Sequence, residues 1–283
     1  IGKREGGTMK RTQRAGLSIS RLVIWIAILC TLFPAYWIFM ASFSAGQSFF
    51  SATLFPKALT TQNYERLISE TDFMRWVGNS LKICLWVSLI QLFLTSTSAY
   101  AFSRLRFPGR KNGLMTLLVL QVFPSSMAVS GYYILIYRFG LSDSVFALIL
   151  VLAGGSAFNI WLLKAYIDTI PKELDEAAFV SGASHRVVFT RIILPLARPQ
   201  LAVIFVFSFI ASYSEYVISS VFLNKPGNHT LALGLQTFIT NQFAANWTLF
   251  AAAAVLSSLP IMVMFMFMQR FIQNGLAATG VKG

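Results

Sequence analysis

An all-helical membrane protein crossing the bilayer six times is the fold class this sequence predicts, and three observations predict it. The 283 residues are 56% hydrophobic and only 12% charged, with a mean hydropathy of +0.65, too apolar for an ordinary soluble domain. Six apolar stretches reach the roughly 20 residues that a helix needs to cross a hydrocarbon core, at about 22–43, 81–102, 113–137, 145–163, 201–223 and 247–268. Their backbone groups must be hydrogen-bonded within each segment, and the period-two alternation of a membrane barrel is absent. Third, the basic residues alternate in side. Seventeen of the 23 Lys and Arg stand before the first span, between the second and third, between the fourth and fifth, or after the last. The positive-inside rule then places both termini and those two loops in the cytoplasm. This distribution accounts for the net charge of +13 through topology and anionic membrane lipid, and argues against nucleic acid as a partner.

Residues 1–21 form a basic cytoplasmic segment. The uncharged run that follows is longer than the 7 to 15 residues of a signal-peptide core, so a retained first helix is expected. The outer loop from Ser44 to Ser80 mixes Pro56, Lys57, Glu65, Arg66 and Asp72 with aromatic residues and is expected to hold one short helix, Gln62 to Ser69. Spans two and three are joined by a tight turn at Pro108-Gly109, flanked by Arg104, Arg106, Arg110 and Lys111. Gln121, Pro124 and Gly131 in the third span, Gly154, Gly155 and Asn159 in the fourth, and Pro260 in the sixth are residues at which helices bend or approach closely. Cys30 and Cys84 fall in separate spans with no metal-ligand spacing, and no disulfide is expected. Trp residues near span ends fit an interfacial belt before a sugar platform. No repeat or linker divides residues 22–268, which are expected to form one membrane domain.

The segment from Asp168 to Arg198 is polar-leaning and lies between two spans. Pro171 suits a first helical turn, Glu173, Asp175 and Glu176 suit its positive end, and Gly182 suits a C′ position. Ser184 can cap a second helix that carries His185 to Ile193, and Pro195 is expected to block its continuation. Two short helices meeting at a glycine result. Small Ala177, Ala178 and Ala183 allow close approach, so the pair can enter a partner's groove or lie on headgroups.

Glu215 is the only acidic residue within a span. It is either a polar contact at a translocation path or gate, together with Tyr213, Asn159 and Gln121, or a hydrogen bond that ties helices, or a group shallow enough to meet water. A membrane enzyme would need converging nucleophile, base or carboxylates, and no such set is present in the sequence. An ion-coupled secondary transporter, the runner-up, leaves several intramembrane charges and broken helices, which are not evident in the sequence. Gly275 and Gly280 begin like a phosphate-binding loop, but Val281 separates that glycine from Lys282 and no Ser or Thr follows, so ATP binding by this chain is not expected.

The ungapped pattern of Glu176, Ala177 and Ala178, then Gly182, then Ile192, Leu194 and Pro195 resembles the EAA loop of permease subunits of binding-protein-dependent ABC importers. The run from Tyr100 to Gly109 and the ending from Gln269 to Gly283 resemble the MalG-type sugar permeases of that family, so the resemblance covers essentially the whole chain. It implies an inner-membrane permease with the MetI-like fold, moving maltodextrin-like or acidic oligosaccharides such as alginate fragments. It further implies that the loop, with Ala183, Ser184 and His185, docks into an ATPase subunit. Asn274, Gly275, Gly280 and Lys282 would belong to a 269–283 tail, bent and extended, that contacts the ATPases. Asn228, His229, Leu231 and Gln236 of the last outer loop would face the external binding protein. The implied partners are a MalF-type second permease, two ATPase subunits and that binding protein. ATP and Mg would sit on the ATPases, leaving this chain without a cofactor of its own.

Overall fold

The computed structural model describes residues 11–46, 59–123, 125–240 and 245–280; Pro56, Lys57, Pro124 and Lys282 lie outside them. Helix dominates. α1 (Arg11–Ser42) is followed by α2 (Gln62–Ser69), the short helix with the bounds its sequence predicts, and α3 (Phe73–Arg104). α4 (Arg110–Val122), a 3-10 turn (Ser125–Ala128) and α5 (Val129–Phe139) come next, then α6 (Val145–Gly154) and α7 (Ala157–Asp168). α8 (Glu173–Val180), α9 (His185–Val187), a π-helical segment (Val188–Ile193) and α10 (Leu194–Leu196) make up the loop region. α11 (Arg198–Tyr213), α12 (Val217–Phe222), α13 (Leu231–Thr237) and α14 (Trp247–Gly280) complete the order.

By length and composition, Ile19–Ser42, Phe73–Arg104 and Trp247–Phe271 can each cross a membrane unaided. Others expected as single spans are interrupted. The stretch from Gly113 to Tyr137 is divided between α4 and α5; α4 has 13 residues, which rise only about 20 Å, short of a hydrocarbon core of roughly 30 Å. α6 and α7 form a pair bent by 47° at Gly155 and Ser156, and α11 stops at Tyr213 before α12 resumes at Val217. The bend expected from Gly154 and Gly155 is present as the break between α6 and α7, whereas no bending residue predicts the interruption between Tyr213 and Val217. Hydropathy averaged over a window does not register a two- or three-residue gap between apolar segments.

α3 is the axis of the bundle. Its residues enter three buried clusters: Ala99 and Tyr100 pack with Ile160, Leu163, Val188, Ile193 and Ile204; Phe73, Trp76 and Cys84 with Phe209, Tyr213 and Leu231; Ile83 and Val87 with Leu148, Ile218 and Phe222. α1 meets α14 through Trp37, Ile38, Ala41 and Ala251 and α2 at Ser42, whose carbonyl accepts from Asn63. α13 is pressed against α3 at Gly234, where a Cβ would fall 2.1 Å from the Trp76 ring. Any other residue would have to displace that indole.

Candidate functional site

The loop between α7 and α11 is a structured elbow. Lys172 is the N-cap of α8, so Pro171 precedes the first turn and does not occupy it, while Glu173, Asp175 and Glu176 do fall in that turn. At the other end Gly182 has φ +83°, and two bonds close the helix: Gly182 N–H to Phe179 O and Ala183 N–H to Ala178 O, both 2.9 Å. This is a complete Schellman closure, with C′ at Gly182 and its apolar contact supplied by Ala178 and Ala183.

Ser184 is extended at the start of α9, but its side chain makes no capping bond. Pro195 does not end the second helix as expected. The chain widens into a π-helical segment, with Leu194 N–H bonded to Phe189 O, passes Pro195 and turns by 78° at Ala197 into α11. A π turn changes the carbonyl register just before a residue that has no N–H to donate and whose ring would otherwise strike the carbonyl four residues back.

Contacts from Arg104 and Tyr100 hold the elbow to the end of α3, and one from Ser103 holds the end of α7 there. Asp175 is buried against Arg104, Nε to Oδ2 at 2.5 Å, and Arg104 also donates from Nη2 to Ile170 O at 2.8 Å. Tyr100 places its hydroxyl 3.1 Å from His185 Nδ1, and its ring lies 5.1 Å from that of Phe189. Ser103 donates to Asp168 Oδ1 at 2.6 Å, and the other carboxylate oxygen takes the Lys164 ammonium. Charged groups buried as deeply as Arg104 and Asp175 persist only with partners.

The opposite face of α8 is open. Glu176, Ala177, Gly182, Ser184 and His185 are exposed; Ala178, Ala183, Ile192, Leu194 and Pro195 are half-buried. Val180 is 91% exposed and Leu174 45%. Leu174, Ala177 and Val180 follow one another at three-residue spacing and so share one helix face. Sequence reasoning missed Val180, Leu174, Arg104 and Asp175 as parts of the site. The first two carried a legible signal, apolar residues at helical spacing in a polar loop.

The residues expected along a path divide into two groups. Gln121 and Glu215 line one cavity of about 870 Å³, together with Gln91, Ser156 and Ser212. The breaks at Phe123, at Gly154 to Ser156 and near Glu215 all border it. Its polar side chains secure these breaks. Glu215 accepts from Ile218 N–H at 2.6 Å and from Ser219 N–H at 2.9 Å, capping α12, and takes the Ser219 hydroxyl at 2.6 Å. Gln121 accepts from Phe158 N–H at the start of α7, and Gln91 donates to Leu152 O near the end of α6. Asn159 lies in an adjoining pocket and donates to Ser208 Oγ at 3.3 Å. Tyr213 is turned away into the core, its hydroxyl bonded to Ser257 O. Gln91 was missed, although an amide inside an apolar run was visible.

Between α12 and α14 Leu231 is 2% exposed and packs in the core, so the expectation that it faces a partner is corrected. His229 and Gln236 are half-buried, and Asn228 donates to Asp143 O at 3.2 Å. Asn274, Gly275 and Gly280 continue α14 as helix, in place of the extended tail expected from their types. Lys282 lies outside the described residues. Among those residues no group of three or more His, Cys, Asp or Glu is arranged to hold a metal.

Residues 9–277 match the family described as binding-protein-dependent transport system inner membrane component. The chain is 36% identical over 263 residues to the maltodextrin transport system permease protein MdxG of Bacillus subtilis, covering 93% of this chain and 95% of that one. It is also 36% identical to the galactooligosaccharides transport system permease protein GanQ of the same organism, covering 97% and 99%. In fold it is similar to a chain of a bacterial ABC transporter involved in the import of the acidic polysaccharide alginate, at a TM-score of 0.78 and 24% identity over 93% of this chain and 99% of that one.

Proposed function

Because the chain belongs to the binding-protein-dependent transport system inner membrane component family, we propose that its elbow from α8 to α10 is the lever through which ATPase subunits work the permease. The chain is a multi-pass permease subunit of an oligosaccharide ABC importer, like the maltodextrin and galactooligosaccharide permeases it matches. The two-sided character of α8 is the observation that supports the lever. Asp175 faces inward and is ion-paired to α3, while Glu176, Ala177 and Val180 face outward with no cover. An apolar strip edged by carboxylates, on a short helix whose far side is fixed to the bundle, fits a groove on a soluble partner.

In this proposal six crossings leave both termini and the elbow in the cytoplasm, as the basic residues indicate. A second, MalF-type permease completes the pathway, two ATPase subunits bind ATP and Mg, and an external binding protein delivers the cargo. Closure of the ATPase pair moves the elbow, and α3 carries that motion to the cavity beside Gln91, Gln121 and Glu215. Neutral oligosaccharides are the favoured cargo, because the lining of that cavity, among the described residues, is amide, hydroxyl and apolar with one carboxylate and no cation.

Val180→Cys tests the docking. In the assembled importer it should crosslink to the ATPase with a short bismaleimide, and Val180→Glu should lower ATPase co-purification several-fold. Sugar uptake by the purified chain in vesicles, driven by an ion gradient without any ATPase, would instead establish secondary transport.

A further inference from the structure

We infer that a cleft between the start of α4 and the end of α7 binds the phosphate of an anionic phospholipid. The cleft has a volume of about 700 Å³, and Arg110, Lys111, Asn112 and Lys164 line it with Phe107, Met115 and Trp161. The inference goes beyond the transport proposal but rests on its topology, which sets this end of the bundle at the cytoplasmic surface.

The charges facing the cleft are cationic in excess. Arg110 is a fixed wall, donating from Nε to Phe102 O and from Nη2 to Ser103 O, both at 2.8 Å, which satisfies carbonyls at the end of α3. Lys164 is shared with Asp168, whose second oxygen is occupied by Ser103. Lys111 is exposed and makes no ion pair among the described residues. The carboxylate of Asp168 offsets one of three cations, and two remain.

Backbone polarity adds to this. Gly109, in the left-handed region at φ +83°, starts α4 abruptly, so the N–H groups of Lys111 and Asn112 fall in a first turn without carbonyls one turn earlier. They form the positive end of a 13-residue helix. The other wall is apolar: Met115 is 62% exposed, Trp161 42% and Phe107 39%. A soluble anion satisfies only the cationic wall. A molecule with a phosphate and hydrocarbon chains satisfies both, as basic pockets between helices on the cytoplasmic side do for lipid headgroups.

Native mass spectrometry of the importer assembled from this chain, its partner permease and its ATPases provides the test. Wild type, taken from membranes containing phosphatidylglycerol and phosphatidylcholine, should retain phosphatidylglycerol selectively. Lys164→Gln should lower that retention about fivefold, the loss expected for one lysine near an anionic surface; Lys111→Glu, which reverses a charge, should lower it further, and Lys111→Arg should retain it. Equal retention by wild type and Lys111→Glu overturns the inference. So does displacement of phosphatidylglycerol by millimolar inorganic phosphate, which would make this a site for the free anion. The same spectra count bound ATPase, so failure of the lipid site with ATPase still bound leaves the transport proposal standing, whereas failure to bind ATPase at all reads on that proposal alone.

Discussion

Arg104, at the last turn of α3, and Asp175, in the first turn of α8, form an ion pair in which each side chain is only 6% exposed. The pair joins a bundle helix to the elbow at its acidic end, and the Tyr100 to His185 contact joins them again one turn earlier on α3 and at the start of α9. A push on the elbow is therefore delivered to α3 directly, as well as through the chain that leads into α11.

Replacing one partner of this pair should cost more than replacing both. Arg104→Met strands a buried carboxylate, at about 3–5 kcal/mol, and Asp175→Leu strands a guanidinium. The double variant removes both charges and should recover most of the thermal stability of the solubilised complex. If the pair also transmits motion, the double variant will remain stable and bind ATPase, yet sugar-stimulated ATP hydrolysis will fall. Full coupling in that variant would assign the pair to stability alone.

Gly182 is demanded by backbone conformation and not by space, since a Cβ there would meet nothing within 4 Å. Gly182→Asn should be tolerated, because Asn enters the left-handed region at small cost, whereas Gly182→Ala should cost about 1–2 kcal/mol at the junction. Gly182→Leu should be worse. ATPase co-purification should decline in that order while membrane insertion stays constant; equal recovery from all four proteins would count against the junction.

Glu215 should act first as a helix cap. Glu215→Gln keeps an acceptor for the α12 amides and should retain most stability, whereas Glu215→Ala should lose about 1–2 kcal/mol, as other lost caps do. Thermal unfolding separates the two. A Gln variant that is fully stable but transports nothing would show that the charge acts on the pathway.

Asp143 braces the segment after α12, where its carboxylate accepts from the backbone N–H of Asn224 at 2.7 Å and of Lys225 at 2.6 Å. The Lys225 N–H, foremost, holds the carboxyl below the ordinary aspartate range. A carboxylate with a lowered folded value stabilises the fold above its unfolded value and loses that contribution as pH falls through the folded one. The difference in melting temperature between wild type and Asp143→Asn should therefore be the same at pH 7 and pH 5. Asp143 also has φ +60°, so Asp143→Val should be less stable than Asp143→Gly, although both lose the acceptor.

Local rules reached far into this protein. α2 begins and ends where its residues predict, Gly109 and Gly182 both take the positive φ that their turns require, and the acidic residues of α8 occupy its first turn. The Glu-Ala-Ala spacing located the elbow without coordinates. These features depend on residues within a few positions of one another, where backbone sterics and helix-end polarity act.

Residues on their own thus determined an apolar, helical, many-times crossing chain with a capped elbow between two of its spans, because hydropathy and capping are properties of short segments. Tertiary structure alone decided which face of α8 is tied down, which polar side chains secure the interrupted helices, and that Tyr213 and Leu231 belong to the core. The physical reason is distance along the chain. Arg104 finds Asp175, and Gln121 finds Phe158, only after helices have packed, and no spacing rule relates residues that packing alone makes neighbours.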